Sequence, residues 1–424
     1  MIKDSDIKIA IVGLGYVGFP LAVEFGKLFP VVGFDINLKR VNDLKKGIDE
    51  TAEISSEEFL NSKYLSITNN QKDIADANFY IITVPTPIDK HKNPDLAPIY
   101  SATEMIAEFI EFGNVVVYES TVYPGLTEDE CVPIIEKISG LELNKSFYVG
   151  YSPERINPGD KKHTLRSVKK ITSGSNPESA DLIDNIYGKI IDAGTHRVES
   201  IKVAEAAKII ENTQRDINIA LINELAIIFD KMEIDTQSVL NAAGTKWNFL
   251  NFLPGLVGGH CIGVDPYYLM YKAESVGYHP EIITAGRRLN DNISSFLVTK
   301  LIKKMIKSNI TIDSSRVLIL GLAFKENCPD IRNTGVIKIV EELKEYNMKI
   351  DIYDPLVCKI EAQKEYDINI TEYPKKSKYD VVIYAVKHDI FSEFLPKDIR
   401  NFCKDEHIIY DLKYMLGNKS DIKF

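Results

Sequence analysis

The sequence lacks the features that mark membrane, secreted and nucleic-acid-binding proteins. No run approaches the roughly 20 apolar residues that a membrane-spanning helix needs, and residues 1–15 carry charges where a signal peptide would be apolar. Its five cysteines are scattered and without CxxC spacing, which argues against a disulfide framework and a structural zinc site. A formal net charge of -10 argues against nucleic acid and anionic membranes as partners, but it leaves room for a local basic pocket that binds phosphates. We therefore expect a cytoplasmic protein without a bound metal.

Length and composition are those of an ordinary globular protein. The chain has 424 residues, of which 45% are hydrophobic and 26% are charged. This is enough for two or three domains with their own cores, and the length favours three.

A glycine-rich turn follows the first predicted strand. Residues 8–12 (KIAIV) form a short apolar run, and Gly13, Gly15 and Gly18 follow as GxGxxG before a helical stretch, PLAVEFGKL. The first two glycines would permit a tight turn and the approach of a pyrophosphate to backbone N–H groups, and the third would allow close packing of helix on strand. Strand, turn and helix in this order predict a dinucleotide site.

A carboxylate in the position expected for ribose recognition completes this motif. The second strand, VVGFD, ends in Asp35, about 20 residues after the first glycine. Asp35 would bond the ribose hydroxyls and repel a 2′-phosphate, so NAD is favoured over NADP. Arg40 lies nearby in the sequence and could either weaken that preference or line the adenosine side.

Three further predicted strands bring polar or turn residues to one edge of the sheet. They are residues 78–84 (NFYIITV), 114–121 (NVVVYEST) and 146–155 (SFYVGYSPER). Open parallel sheets bind ligands at the carboxyl ends of their strands. The residues predicted to border the cofactor there are Pro85, Thr86, Pro87, Ser120 and Thr121. Glu154, after the third strand, is either a functional carboxylate at that edge or an ordinary surface one.

The stretch from residue 201 to 232 contains neither glycine nor proline and predicts one long helix. It is too long to serve one small domain, so it is predicted to connect domains and to supply a subunit interface. Lys208 and Asn212 are four residues apart and share a face. A lysine on a largely apolar helix is costly without a charged ligand or partner. The alternative is a lysine that extends to the surface.

The run GLVGGHCIGVDPYY, residues 255–268, contains a cysteine shortly after a glycine pair. Gly258 and Gly259 would let the backbone crowd against a ligand, and Cys261 would offer a nucleophile there. The alternative is a small buried thiol in an ordinary loop. Combined with an NAD site, a thiolate suggests oxidation of an aldehyde held as a thiohemiacetal, which yields hydride and becomes a thioester.

The last third repeats the strand-helix-strand pattern. Residues 316–324 (RVLILGLAF) begin it, and the strands KIDIYDP, KYDVVIYAV and HIIYDL follow. Its first turn lacks GxGxxG, so a second NAD is not expected, but a nucleotide of another kind could bind at the same edge. Lys325 and Arg332 would supply positive charge suited to phosphates.

Taken in order, several motifs resemble the UDP-glucose/GDP-mannose dehydrogenase family over essentially the whole chain. They are GLGYVG (13–18), VPTP (84–87), ESTVYPG (119–125), SPER (152–155), AAKIIENT (206–213), GGHCIGVDP (258–266) and GLAFKENCPDIRNT (321–334). The resemblance implies an α/β protein with two Rossmann-like, doubly wound parallel-sheet domains joined by a long central helix and a small all-helical middle domain. We expect an NAD-binding domain over residues 1–198, a dimerisation domain with the catalytic cysteine over 199–305, and a UDP-sugar-binding domain over 306–424.

The resemblance also implies roles for single residues. Cys261 would be the nucleophile, Lys208 and Asn212 would stabilise the oxyanion, and Asp265 would support proton transfer. A water for proton transfer and thioester hydrolysis would be positioned by Glu154 and Thr121. Contacts to NAD would come from Gly13, Gly15, Tyr16, Val17, Gly18, Asp35, Arg40, Val84, Pro85, Thr86, Ser120, Thr121 and Arg332. Contacts to the sugar nucleotide would come from Glu154, Arg155, Lys208, Asn212, Gly258, Gly259, Phe324 and Lys325.

The stretch around the cysteine indicates a branch of the family. UDP-glucose enzymes tend to have a lysine just before the aspartate that follows the cysteine, whereas this chain has Val264 and resembles bacterial enzymes for UDP-N-acetylhexosamines. Our hypothesis is a homodimeric (or dimer-of-dimers) UDP-N-acetylglucosamine or UDP-N-acetylgalactosamine 6-dehydrogenase that makes a uronic acid for surface polysaccharide. UDP-N-acetylmannosamine, UDP-glucose and GDP-mannose are alternative substrates. A single-step β-hydroxyacid dehydrogenase and a catalytically silent NAD-binding scaffold are more distant alternatives.

Overall fold

The structure is a computed structural model that describes residues 2, 6–51, 53–156, 163–259, 262–394 and 396–424. The chain divides into two compact units. One comprises Met1–Glu211 and Tyr267–Tyr278, and the other comprises Asn212–Pro266 and His279–Phe424. A β-sheet with helices around it forms the centre of each unit.

Short apolar runs form most of the strands of the first unit. The described strands are β1 Ile9–Val12, β2 Val31–Phe34, β3 Leu65–Thr68, β4 Phe79–Ile82, β5 Val115–Tyr118, β6 Tyr148–Tyr151, β7 Lys170–Gly174 and β8 Thr195–Arg197. The described helices are α1 Gly18–Phe25, α2 Leu38–Lys45, α3 Ser56–Asn61, α4 Ala97–Ala107, α5 Val132–Ser139 and α6 Pro177–Gly188.

The order across this sheet is β3-β2-β1-β4-β5-β6-β7-β8. Strand β1 pairs in parallel with both β2 and β4, so the winding reverses at β1, and the carboxyl ends beside it form the expected ligand edge. Every residue of β1, β4 and β5 is buried, as in parallel strands that are covered on both faces. The predicted parallel strands are confirmed, whereas β3, β7 and β8 were not predicted.

One pair in this sheet departs from the parallel pattern. Strands β6 and β7 run antiparallel, with Gly150 opposite Gly174 and Tyr151 opposite Ser173. Because β7 runs the other way, its first residue, Lys170, lies at the edge where the parallel strands end. Its sequence, KITSG, is too polar to be recognised as a buried strand.

Two helices contribute residues to both units: α7 (Ile201–Lys231) and α9 (Asp265–Ser275). The remaining helices of the second unit are α8 Thr236–Ala243, α10 Glu281–Lys307, α11 Val336–Glu345, α12 Lys359–Tyr366 and α13 Pro396–Phe402. Its described strands are β9 Arg316–Leu320, β10 Lys349–Tyr353, β11 Tyr379–Tyr384, β12 Cys403–Asp411 and β13 Ile422–Lys423.

The second sheet has the order β10-β9-β11-β12-β13, and all its pairs are parallel. Leu297 and Leu301 of α10 and Val340 of α11 belong to the same buried apolar cluster as the strand residues Val317 and Ile319. A separate cluster contains Leu318, Leu320 and other residues. Alternate residues of β9 therefore enter two cores, which confirms the second strand-helix-strand domain.

Helix α7 has 31 residues and confirms the predicted long helix. Its buried polar residues are Glu205, Lys208, Asn212, Thr213, Asp216 and Asn223. At about 3.6 residues per turn, all of these except Thr213 share one side. The apolar appearance of the sequence thus conceals a buried polar stripe. Within the described part of the chain, no helix is long and apolar enough to cross a membrane.

Candidate active site

The glycines of the first turn differ in what surrounds them. Gly13 has a φ of 96°, and a β-carbon there would lie 3.1 Å from the Thr83 carbonyl carbon and oxygen. A β-carbon on Gly18 would lie only 1.8 Å from the Gly13 carbonyl oxygen. A β-carbon on Gly15 would meet nothing within 4 Å. The outer glycines are therefore required by the packing of the turn, and the middle one faces open space that a ligand could fill.

Asp35 is held at the end of β2 by two backbone groups. Its Oδ2 accepts a hydrogen bond from the Leu14 N–H at 2.8 Å, and its Oδ1 accepts one from the Asn37 N–H at 2.8 Å. The residue is only partly buried, and each carboxylate oxygen can accept a further bond. The open space at Gly15 and this fixed, partly exposed carboxylate both fit a dinucleotide.

Arg40 is buried and bonds the backbone of the glycine-rich turn. Its Nε donates to the Leu14 carbonyl oxygen at 2.8 Å, and its guanidinium pairs with Asp49 at 2.8 Å and stacks 5.4 Å from the Phe19 ring centroid. Asp49 balances its charge, but neither terminal nitrogen has a hydrogen-bond partner among the described residues. A cofactor contact by Arg40 stays a prediction.

The other predicted cofactor residues lie near the ends of β1, β4 and β5. Tyr16, Val17, Val84, Thr86 and Thr121 are partly exposed, and Pro85 is exposed. The hydroxyl of Ser120 is buried and donates to the Val84 carbonyl oxygen at 2.7 Å. It therefore joins two strand ends. Thr83, which the sequence did not single out, does the same through a 2.7 Å bond to the Gly13 carbonyl oxygen.

Glu154 belongs to a buried cluster of charged side chains at the same edge. Lys170 Nζ donates to Glu154 Oε2 at 3.1 Å and to Glu119 Oε2 at 2.6 Å. The other oxygen of Glu154 accepts from the backbone N–H groups of Arg155 and Ile156 at 2.6 and 2.7 Å. Glu154 is therefore not the ordinary surface carboxylate of the alternative interpretation.

Arg155 is anchored beside this cluster. Its guanidinium pairs with Glu211 at 2.7 Å and donates to the Lys169 carbonyl oxygen at 2.8 Å. Its predicted contact with the sugar nucleotide is not tested by these bonds.

Lys208 and Asn212 lie one turn apart on α7. Lys208 is 7% exposed, which excludes the alternative of a lysine that extends to the surface. Asn212 donates through Nδ2 to Asp265 Oδ2 at 2.6 Å, and both residues are buried. Asp265 begins α9, where a carboxylate is favoured by the positive end of the helix dipole. The pairing orients the Asn212 amide.

The glycine pair before the cysteine makes room for protein rather than only for a ligand. A β-carbon on Gly258 would lie 2.7 Å from the Asn333 carbonyl oxygen, and one on Gly259 would lie 2.8 Å from the Phe324 ring. Gly259 also has a φ of 82° and donates its N–H to the Asn333 oxygen at 3.3 Å. The expectation that these glycines chiefly serve a ligand is thus incomplete.

The start of the cysteine segment is held by Asn223 of α7. The Asn223 amide accepts from the Gly255 N–H at 2.8 Å and donates to the Gly255 carbonyl oxygen at 3.0 Å. Asn290 of α10 accepts a further bond from Asn223 at 2.9 Å. His260 and the predicted nucleophile Cys261 lie outside the described residues.

Charged residues of the second unit surround its first turn. Lys325 Nζ lies 5.7 Å from the Phe324 ring centroid, and Arg332 forms a two-bond pair with Asp330, with Nε 2.9 Å and Nη2 2.6 Å from carboxylate oxygens. The predicted contacts of Phe324 and Lys325 with a sugar nucleotide, and of Arg332 with NAD, remain predictions.

Sequence reasoning missed several residues that lie beside the recognised ones. Thr83 bonds the Gly13 carbonyl oxygen, Lys170 bonds Glu154, and Asn223 bonds Gly255. Glu119 shares the Lys170 ammonium with Glu154. Glu119 stands in a motif at a strand end, so its position could have indicated it. Lys170 follows another lysine in a polar segment, and such a pair is ordinarily typical of a surface.

Comparison with known proteins gives matches along the chain. Models of the UDP-glucose/GDP-mannose dehydrogenase family match residues 7–191 (NAD binding domain), 202–292 (central domain) and 318–418 (UDP binding domain). Two proteins named UDP-N-acetyl-D-glucosamine 6-dehydrogenase are 59% identical over 420 residues. The one from Pseudomonas aeruginosa aligns over 99% of this chain and 100% of its own length, and the one from Salmonella typhi over 99% of each.

A solved structure is also similar over nearly its whole length. The UDP-D-ManNAc dehydrogenase from Pyrococcus horikoshii has a TM-score of 0.89 and 28% sequence identity, and the match covers 98% of each chain. The two sheets and the helices between them in sequence therefore follow an architecture known from experiment.

Proposed function

Because the chain belongs to the UDP-glucose/GDP-mannose dehydrogenase family, we propose that it oxidises the C6 hydroxymethyl group of UDP-N-acetylglucosamine to a carboxylate. The observation that carries this proposal is the full-length identity of 59% to two enzymes named for that substrate. In the balanced reaction, the primary alcohol, two NAD⁺ and one water give the carboxylate, two NADH and three protons. UDP-N-acetylgalactosamine is the nearest alternative because it differs only at the C4 hydroxyl.

NAD supplies the hydride acceptor for both oxidations. We propose that the turn from Gly13 to Gly18 holds its pyrophosphate, that Asp35 binds the ribose hydroxyls, and that Ser120 and Thr121 border the nicotinamide half. The open space at Gly15 supports this placement, since a backbone without side chains lets phosphate oxygens reach N–H groups at the start of α1.

The proposed chemistry runs through Cys261. Its thiolate would add to the C6 aldehyde formed by the first oxidation, and the sulfur–carbon bond would persist until water hydrolyses the thioester formed by the second. Lys208 and Asn212 would stabilise the oxyanion, to which a single donor contributes about 3 kcal/mol in other enzymes. The bond between Asn212 and Asp265 supports this role because it directs the amide.

Proton transfer is assigned to carboxylates. We propose that Glu154, with Thr121, positions the water, and that Asp265 supports transfer with Lys208. In the second unit, Phe324 and Lys325 would contact the sugar nucleotide, to which Arg155, Gly258 and Gly259 would also be close.

A stoichiometric assay tests the proposal. Purified protein is supplied with NAD and, separately, with the UDP-linked forms of N-acetylglucosamine, N-acetylgalactosamine, N-acetylmannosamine and glucose, and with GDP-mannose. We expect two NADH per UDP-N-acetylglucosamine and the highest kcat/KM for that sugar. One NADH per sugar would contradict the thioester route and favour a single-step dehydrogenase.

The Cys261→Ser variant provides the chemical control. It should lose complete turnover while still binding UDP and NAD, because the serine hydroxyl is a far weaker nucleophile than a thiolate. Full turnover by this variant would remove the covalent intermediate from the mechanism.

We also propose that the protein is a homodimer assembled through α7. Val203, Ile210, Leu221 and Ile228 are exposed, and their spacing puts them on the side of α7 opposite the buried polar stripe. An exposed apolar stripe of this kind is typical of an interface. Light scattering after size exclusion should give a multiple of the 47.8 kDa chain, and Ile210→Glu with Leu221→Glu should reduce it to one chain.

A cytoplasmic location and a role in surface polysaccharide synthesis complete the proposal. NAD and UDP-sugars are cytoplasmic metabolites, and a UDP-linked uronic acid is a donor for glycosyl transfer. Deletion of the gene should leave UDP-N-acetylglucosamine unoxidised in the cytoplasmic fraction and remove the uronic acid from surface polysaccharide. If the deletion strain still oxidised UDP-N-acetylglucosamine and still carried the uronic acid in its surface polysaccharide, this placement would be contradicted.

A further inference from the structure

Two carboxylates share one buried lysine at the carboxyl edge of the first sheet. Glu119 follows β5, Glu154 comes shortly after β6, and Lys170 begins β7. The antiparallel register of β6 and β7, with Tyr151 opposite Ser173, continues to bring Lys170 opposite Glu154. Because β7 runs antiparallel to β6, its first residue, Lys170, lies at the edge where the parallel strands end. The antiparallel pair thus places a cation beside the two carboxylates.

The three charged side chains of the cluster are buried and hydrogen-bonded. Lys170 is 2% exposed, and its Nζ donates to one oxygen of each carboxylate. The Tyr187 hydroxyl of α6 donates to the other oxygen of Glu119, and two backbone N–H groups bond the other oxygen of Glu154. Glu154 is thereby fixed through both oxygens, and among the described residues Lys170 is the only one whose side chain bonds it.

Stability alone does not explain such a cluster. Burying an ion pair costs about as much as the pairing returns, and apolar residues of similar volume often stabilise a core better. Here one lysine faces two carboxylates, so the cluster carries an excess negative charge unless a carboxylate is protonated. Burial raises the pKa of Glu119 to about 7, against the attraction of Lys170. Glu119 is therefore the member that can hold a proton near neutral pH.

We propose that Lys170 is a positioning residue that fixes the Glu154 carboxylate for proton transfer, and that Glu119, through its own bond with the Lys170 ammonium, holds the lysine in place. The inference rests on the proposed function, because that function assigns Glu154 to the positioning of water. Lys170 and Glu119 would act by holding Glu154 in position and would not touch the substrate.

Three variants separate positioning from structural support. Glu119→Gln keeps the bond between Lys170 and Glu154 and should leave kcat within about threefold of the wild type. Lys170→Met leaves two buried carboxylates without a cation, so it should lower both the unfolding temperature and kcat. The double variant Glu119→Gln/Lys170→Met leaves only one buried carboxylate, Glu154, without a cation, so it should regain part of the unfolding temperature lost by Lys170→Met.

The decisive measurement is kcat of the double variant. We expect it to remain at least about tenfold below the wild type, with KM for NAD and for the UDP-sugar within about twofold, because general acid–base steps contribute factors of this size or more. Recovery of kcat together with the unfolding temperature would overturn the proposal and leave Lys170 a purely structural role. The exposed pair Glu142 and Lys145, both changed to Gln, is the matched control and should alter neither quantity.

A separate variant keeps this inference distinct from the proposed function. Glu154→Gln should lose turnover. If it turned over normally, the assignment of Glu154 in the proposed function would fail, and the inference with it. If Glu154→Gln were inactive and the double variant fully active, only the inference would fail.

Discussion

The first turn of each sheet places a glycine in the left-handed region beside an aspartate at the end of the neighbouring strand. In the first unit these are Gly13, with a φ of 96°, and Asp35, and in the second they are Gly321, with a φ of 95°, and Asp354. In each case the residue after the glycine donates its N–H to the aspartate, at 2.8 Å in the first unit and 2.7 Å in the second.

The two aspartates differ in what else they bond. Asp35 is partly exposed, whereas Asp354 is 2% exposed and also accepts from the Ala323 N–H at 3.0 Å. His388 lies 3.1 Å from Asp354 through Nε2 and accepts the Asn327 N–H through Nδ1 at 2.9 Å. Because Nδ1 accepts, a neutral His388 carries its proton on Nε2 and donates it to Asp354.

The turn of the first unit has glycines that suit a dinucleotide, and the turn of the second unit does not. The positions of Gly15 and Gly18 in the first turn correspond by spacing to Ala323 and Glu326 in the second. Only the first glycine is retained, and it is the one that adopts a positive φ in both turns. The second aspartate is used to fix a loop, which it does with His388. The local geometry of the turn alone therefore does not make a dinucleotide site. What matters in addition is whether a side chain such as His388 already covers the carboxylate.

The largest expected effect comes from the third glycine of the first turn. Gly18→Ala would put a β-carbon 1.8 Å from the Gly13 carbonyl oxygen, so the turn must open. We expect NAD-dependent kcat/KM to fall about a hundredfold or more, equivalent to roughly 3 kcal/mol, with a lower unfolding temperature. Glu326→Ala, at the corresponding exposed position of the second turn, should change stability by less than about 0.5 kcal/mol. Equal effects of the two changes would refute the comparison.

A smaller effect, confined to the binding of UDP, is expected from His388→Leu. The change leaves the Asn327 N–H and the buried Asp354 carboxylate without the imidazole, at a cost of about 2 kcal/mol, and loosens the loop that carries Phe324 and Lys325. Calorimetric titration should show UDP binding weakened about tenfold, with KM for NAD unchanged. His407→Leu, which alters a more exposed histidine of the same unit, is the control. A parallel loss of NAD affinity would mean that the loop does not act separately.

Asp35→Asn should have the opposite selectivity and weaken the binding of NAD but not that of UDP. It retains an oxygen for the Leu14 N–H but removes the charge offered to the ribose, so KM for NAD should rise about tenfold, the equivalent of one charge-assisted hydrogen bond of roughly 1.5 kcal/mol. UDP affinity should not change. Steady-state kinetics at saturating UDP-sugar, repeated with NADP, measures both the loss and the relaxed discrimination. An unaltered KM would remove Asp35 from the cofactor site.

The smallest expected effect is a pH dependence of stability. Burial alone would raise the pKa of Asp354, but the bonds from His388 and from backbone N–H groups outweigh it and lower the pKa overall. A carboxyl group with a lowered folded pKa stabilises the fold above its unfolded pKa, and this contribution is lost as the pH falls through the folded value. The unfolded pKa is near 3.9.

Denaturant unfolding across acidic pH tests this sign. The wild type should lose part of its stability as the pH is lowered below about 4, and the gap between the wild type and Asp354→Asn should narrow over that range. Asp389→Asn, at an exposed site, is the matched control. A gap that stays constant, or widens, toward low pH would contradict the proposed ionisation of Asp354.

Much of the fold was predictable because its signals are local. The GxGxxG turn, Asp35 and the uninterrupted run of α7 are each contained in one segment, and the family resemblance joined them. Strands β3, β7 and β8 were missed because short strands with serine and threonine carry no apolar run. The cluster around Lys170 could not be predicted, since the lysine lies 51 residues after Glu119 and 16 after Glu154. It reaches them only through an antiparallel pair that no pattern indicated.

The sequence by itself determined the apolar strands of the two sheets, the long helix α7, the glycines of the first turn and the aspartate that follows it, because backbone sterics and hydrophobic periodicity act over a few residues. Only the tertiary structure decided which charged groups are buried and what they bond: Lys170 between two carboxylates, Asn223 on Gly255, His388 on Asp354. Burial and pairing depend on which distant segments the sheets bring together. Two aspartates in nearly the same local geometry therefore differ in exposure and in partners.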